Sequence, residues 1–203
     1  MKLIGMLDSP FVRRVAISAK RLGIDLEQHS VSVFRTFEQF QQINPVVKAP
    51  TLVLDDGEVL MDSTLIIDYL ETLAGPDRSL MPKAIDQRLR SLRLIGLALA
   101  ACEKSVQLYY ERNLRPAEIQ FQAWSERVEG QLAAAYNALE RELEKQPLDT
   151  DAPIDQAGIT LAVAWSFTNL VVPDQVSREA FPKIAAYTEY AEGLEVFIST
   201  PIE

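Results

Sequence analysis

The chain has 203 residues, 48% of them apolar and 24% charged, enough for one large domain or two small ones, each with a core. Its net charge of −9, with no basic arm in either half, argues against duplex nucleic acid or an anionic membrane surface as a partner. The single cysteine, Cys102, excludes an intramolecular disulfide and sits in the apolar run 97–102, where a buried, inert thiol is expected.

Lys2 to Leu7 reads as a short apolar strand, and Ser9-Pro10 as a helix start with proline in the first turn. Val12, Val15, Ala16, Ala19 and Leu22 recur at helical spacing, with Arg13, Arg14, Lys20 and Arg21 at the remaining positions. That pattern predicts an amphipathic helix ended by Gly23. Glu27 to Val33 alternates as a half-buried strand does, and a short helix is expected over 36–43, stopping before Asn44-Pro45. Residues 51–54, the Asp55-Asp56-Gly57-Glu58 turn and residues 59–61 form a hairpin. Asp62-Ser63 opens a second amphipathic helix running to about Leu73.

The order β-α-β-α-β-β-α is complete by Ala74. Residues 1–75 therefore read as an α/β domain, 76–82 as a turn-rich linker and 83–203 as an all-helical domain. Helical periodicity covers roughly 83–112, 116–145, 155–170 and 182–192, with breaks at prolines 116, 153, 173 and 182. No apolar run reaches 18 residues, and the stretch before Asp8 is too short for a signal h-region, so a cytoplasmic location is expected.

Three places in the α/β domain combine chemistry with position. Ser9 stands at a strand-to-helix junction, where unpaired N–H groups and the helix dipole favour negative charge. A hydroxyl there can cap the helix, or donate to a thiolate and lower the pKa of a bound thiol. Asp8 beside it would act in the opposite sense on a thiol held close to its carboxylate. Pro50 precedes an apolar strand without an N–H to give. In the cis form it would present the backbone of Ala49 to an extended peptide ligand; in the trans form it would simply start the strand. Asp62-Ser63 offers an acceptor for an ammonium group and donors for a carboxylate, or else an ordinary helix cap.

Together, Ser9-Pro10-Phe11-Val12-Arg13, Lys48-Ala49-Pro50-Thr51-Leu52 and Asp62-Ser63-Thr64-Leu65-Ile66 resemble the motifs of the glutathione S-transferase family. The run 181–187 is also similar to that family's final helix, so the resemblance covers nearly the whole chain. It implies a thioredoxin-like N-terminal domain followed by an all-helical C-terminal bundle. By the same resemblance, Ser9 faces the glutathione sulfur and Ala49, before a cis Pro50, pairs with the cysteinyl backbone. Asp62 with Ser63 then binds the γ-glutamyl end, and Lys48 approaches the glycyl carboxylate. Glutathione is the implied co-substrate, the second substrate is a small electrophile, the role is detoxification, and a homodimer is expected.

The chain departs from the family in having Ala49 where valine is usual and Gly158 where the second domain's capping acid is usual. Phe11, Tyr109 and Tyr110 are candidates for an acceptor-substrate pocket between the domains; the alternative for the tyrosines is core packing. His29 is the sole histidine, which argues against a His-based metal site or catalytic triad. Two other functions stay open at this level: glutathione-dependent reduction of peroxides or disulfides, and a non-enzymatic interaction role on the same scaffold. Serine instead of cysteine at position 9 disfavours disulfide exchange through an enzyme thiol.

Overall fold

A computed structural model describes residues 1–202. Its elements follow the expected order: β1 (Lys2–Ile4), α1 (Pro10–Leu22), β2 (Glu27–His29), α2 (Phe37–Ile43), β3 (Thr51–Val53), β4 (Val59–Met61) and α3 (Ser63–Ala74). The helices α4 (Ile85–Asn113), α5 (Gln122–Lys145), α6 (Gln156–Val171), α7 (Pro182–Glu192) and α8 (Glu195–Ile198) come next. Contacts divide the chain into two compact units, Met1–Leu80 joined by the segment from Gly193 onward, and Met81–Glu192. No helix among the described residues is long and apolar enough to cross a membrane.

In the first unit the sheet order is β2-β1-β3-β4. β1 runs parallel to β2, with Leu3 opposite Gln28, and antiparallel to β3, with Leu3 opposite Leu52; β3 and β4 form the hairpin. The βαβ connection through α1 and the packing of α1 against α3 bury Leu3, Leu52, Val12, Val15, Ile17, Ile66 and Leu70. Ile4 packs with Val31 and Phe40 in a separate cluster. Gly23 ends α1 in the left-handed conformation at φ +69°, as a C-terminal glycine does.

Three expectations need correction here. The strands are shorter than the alternation suggested, since residues 5–7 and 30–33 leave the sheet. More importantly, α1 is buried from Val12 through Ala19, its charged positions included: Arg13 and Arg14 are each only 2% exposed. Arg13 is held by the returning end of the chain. Its Nε donates to the Thr200 carbonyl at 2.9 Å, and its guanidinium lies 5.3 Å from the Phe197 ring centroid. Lys20 likewise donates to the carbonyl and hydroxyl of Ser199, both at 2.8 Å. The segment from residue 193 onward groups with the first unit, whereas the sequence reading carried the helical domain from 83 to 203.

In the second unit α4 packs on α5 and α6, and α6 on α7. α6 is buried nearly all round, which is why its sequence is apolar all round. α5 begins at Gln122 rather than 116 because residues 117–119 form a 3₁₀ turn, and the Phe121 N–H donates to the buried Glu111 carboxylate at 2.7 Å. Glu140 of α5 caps α7: its two oxygens accept from the N–H groups of Lys183, at 2.7 Å, and Ile184, at 3.0 Å. Those are donors that a helix start would otherwise leave without a partner.

The reciprocal acid is missing at position 158, but the cap itself is kept. Asp155 caps α6 by accepting from the Gly158 N–H at 2.8 Å, and burial pushes its carboxyl above the usual range. The volume a side chain would take at Gly158 is filled by the Tyr187 hydroxyl, with Ile154 closing the other side.

Candidate functional site

The site is assembled where β1 ends. Gly5 has φ +137°, open to glycine, and a Cβ there would lie 2.6 Å from Val12 Cγ2 and 3.2 Å from the Ala49 Cβ. The absent side chain thus lets the start of α1 and the Ala49 loop close on the same point of the sheet.

Ser9 is the residue preceding α1, extended at φ −71° and ψ 123°, and half-buried. Its carbonyl accepts from the N–H groups of Val12 at 3.1 Å and Arg13 at 2.9 Å, yet its hydroxyl makes no capping hydrogen bond. The simpler of the two roles open to Ser9 is therefore not the one adopted, and the oxygen is available at the positive end of a 13-residue helix. Phe11, the second residue of that helix, is half-buried.

The loop from Asn44 to Pro50 is fixed by a buried amide. Asn44 Nδ2 donates to Thr51 Oγ1 at 2.8 Å, its Oδ1 accepts from the Val46 N–H at 3.0 Å, and Thr51 Oγ1 donates to the Lys48 carbonyl at 2.7 Å. Ala49-Pro50 is the cis peptide bond the motif implied. The sheet ladder begins only at Thr51, so the Ala49 backbone lies outside it.

Val47, at φ +52°, and Asp62, at φ +76°, are the only non-glycine residues with positive φ among the described residues. Each conformation costs of order 1–3 kcal/mol, and such residues cluster at binding and catalytic sites. Asp62 does cap its helix: Oδ1 accepts from the Thr64 N–H at 2.9 Å. Its other oxygen stands 4.0 Å from Lys48 Nζ, so the two candidate ionic residues meet across the loop. Ser63, the first residue of α3, is 4% exposed, and its Oγ accepts from Arg14 Nη1 at 2.9 Å.

Arg14, Asn44 and Thr51 are the supporting residues that sequence reasoning missed. Asn44-Pro45 ahead of the strand was visible only as a helix stop, and nothing local marked Asn44 as buried or Arg14 as internal. Tyr109 and Tyr110 on α4 have ring centroids 6.3 Å apart, and Tyr110 is 40% exposed. His29 is bound to Glu27 Oε1 at 2.7 Å, which holds the Glu27 carboxyl below its usual range. Cys102 is buried. Among the described residues no group of three or more His, Cys, Asp or Glu side chains is arranged to hold a metal.

A βαβ unit followed by a β-hairpin and helix, with a cis-proline at the start of the third strand, defines a thioredoxin-like domain, here linked to an all-helical unit. Residues 3–78 match the N-terminal domain family of glutathione S-transferases. The chain is 30% identical to the GST-like protein YibF of Escherichia coli over 169 residues, covering 83% of this chain and 82% of that one. The chain belongs to the glutathione S-transferase family. A glutathione transferase family member from Pseudomonas fluorescens Pf-5, solved with bound glutathione, superposes with a TM-score of 0.86. It is 28% identical, covering 100% of this chain and 98% of that one. The same family member has been solved with bound S-(propanoic acid)-glutathione, with a TM-score of 0.81, 28% identity and 98% of each chain covered.

Proposed function

We propose that the protein is a glutathione transferase that conjugates glutathione to small electrophiles, with Ser9 as the catalytic residue. The observation that carries this reading is the Ser9 hydroxyl, left uncommitted at the N-terminus of α1 although serine there ordinarily caps. A donor in that place favours the thiolate over the thiol, by hydrogen bonding and by the helix dipole. The sulfur lone pair forms the new S–C bond, the leaving group departs with the electrons of the bond it loses, and the thiol proton goes to solvent. What the protein supplies is orientation and charge stabilisation.

The remaining residues suit the rest of the tripeptide. The Ala49 backbone, outside the ladder, offers an N–H and a C=O to the cysteinyl unit. Asp62 and Ser63 offer an acceptor and a donor to the γ-glutamyl ammonium and carboxylate, and Lys48 offers a cation to the glycyl end. The binding of glutathione and of an S-substituted glutathione by the Pseudomonas fluorescens relative supports the same use of this fold.

Calorimetric titration tests the reading. Wild-type protein should take up glutathione with measurable heat at millimolar ligand, and Ser63→Ala should bind about ten-fold more weakly, as expected for loss of one hydrogen bond to a charged group. No heat from the wild type would exclude the proposal.

We also propose a homodimer. Val59, Met61 and Leu65, along β4 and the start of α3, are 43%, 36% and 58% exposed, an apolar strip suited to a second copy. Sedimentation equilibrium should return twice the chain mass, and Leu65→Lys should shift the protein toward the monomer.

A further inference from the structure

The two buried arginines of α1 diverge. Arg13 is engaged by the chain end, as described above. Arg14 turns toward α3, where Nη1 donates to Ser63 Oγ at 2.9 Å and to Thr64 Oγ1 at 3.2 Å. Arg14 and Ser63 are both nearly inaccessible, at 2% and 4% exposure.

The sense of this hydrogen bond follows from chemistry alone. A guanidinium has only donors, so Ser63 Oγ must be the acceptor and its own proton is left to give. Among the described residues no protein acceptor takes that proton; Ser63 enters one side-chain hydrogen bond, and there it accepts. A neutral serine at a helix start can otherwise rotate between accepting and donating, and so bind a donor or an acceptor equally well. With one lone pair of Ser63 taken by Arg14 and its proton pointing away from the guanidinium, an acceptor in front of Ser63 is favoured over a donor. The N-terminus of α3 itself favours an anion.

We infer that Arg14 is a positioning residue that acts through Ser63, committing its hydroxyl proton to the ligand and making this end of the site select a carboxylate. The inference rests on the proposed glutathione site and adds to it a determinant of specificity. A ligand with a carboxamide in place of the γ-glutamyl α-carboxylate accepts more weakly and turns an NH₂ toward donors. It loses most of the advantage that Arg14 creates.

The test is calorimetric titration of glutathione and of that α-carboxamide analogue against wild type, Ser63→Ala, Arg14→Met and the double variant. Wild type should prefer glutathione by about ten-fold or more, the scale of one charge-assisted hydrogen bond. Arg14→Met should lose about ten-fold for glutathione and little for the analogue, and the double variant should bind no more weakly than Ser63→Ala. Should Arg14→Met fail to fold, Arg14→Lys serves instead. It keeps the charge but not the planar guanidinium whose Nη1 reaches both hydroxyls, and the preference should narrow in the same sense.

Equal losses for the two ligands, an unchanged preference in Arg14→Lys, or additive losses in the double variant would each overturn the inference while leaving glutathione binding intact. Absence of glutathione binding to the wild type would instead remove both the inference and the reading beneath it.

Discussion

Replacing Ser9 with alanine should lower the turnover of glutathione with an aryl halide by about 100-fold while glutathione affinity falls no more than a few-fold. The size follows from removing one pre-positioned donor at a developing or stabilised charge, a change of order 10²–10³ in turnover. The division between turnover and affinity follows from geometry. Ser9 meets only the sulfur in the proposed site, whereas Ala49, Lys48, Asp62 and Ser63 would hold the rest of the tripeptide.

The pH profile gives a second readout. A donor favours the thiolate, so the wild-type rate should reach its plateau at lower pH, and the alanine variant should recover part of its rate as pH rises. Steady-state kinetics from pH 6 to 9 would check both points. An unchanged turnover in Ser9→Ala would assign activation of the thiol to another group.

The second large effect lies in the helical unit and concerns stability alone. Gly158→Ala should destabilise the protein by about 3 kcal/mol, at the upper end of what overpacking a tight interior site costs. The new methyl group would enter the space held by the Tyr187 hydroxyl and press on Ile154 Cγ1, 3.0 Å away. Asp155, which caps the helix through the Gly158 N–H, would be displaced with it. Tyr187→Phe removes the oxygen that meets the added carbon, so the double variant should regain a good part of the loss. Thermal unfolding of the four proteins measures the coupling, and a purely additive result would mean that the strain lies elsewhere. Restoring the family's usual acid with Gly158→Asp should be worse than alanine, because a larger side chain meets the same tyrosine.

The motif-bearing residues of the first unit illustrate the limits of local reading in opposite directions. Both Ser9 and Asp62 are good capping residues by type, and each stands at a helix start. Asp62 caps and Ser9 does not, a difference set by where each side chain can turn once the strands, the loop and the helices are in place. The second unit shows a similar contrast. Gly158 reads in isolation as a defect in a capping box, but a tyrosine 29 positions later fills the gap.

Much was nonetheless determined by the sequence alone. Alternation and 3.6-residue periodicity are properties of neighbours along the chain, so the order of strands and helices through Ala74 was legible. Glycine and proline placed the turns by their own backbone restrictions. Three motifs carried the resemblance to the family. Tertiary structure decided what depends on residues far apart in the chain. It placed Arg13 and Arg14 inside a helix whose pattern assigned them to solvent, because Thr200, Phe197, Ser63 and Thr64 supply partners there. It brought the last residues back to the first unit and set Lys48 opposite Asp62. Periodicity reports which face of an element is apolar. It does not report which distant hydroxyl or carbonyl will make burial of a charge tolerable, and at this site that pairing decides which way a serine proton points.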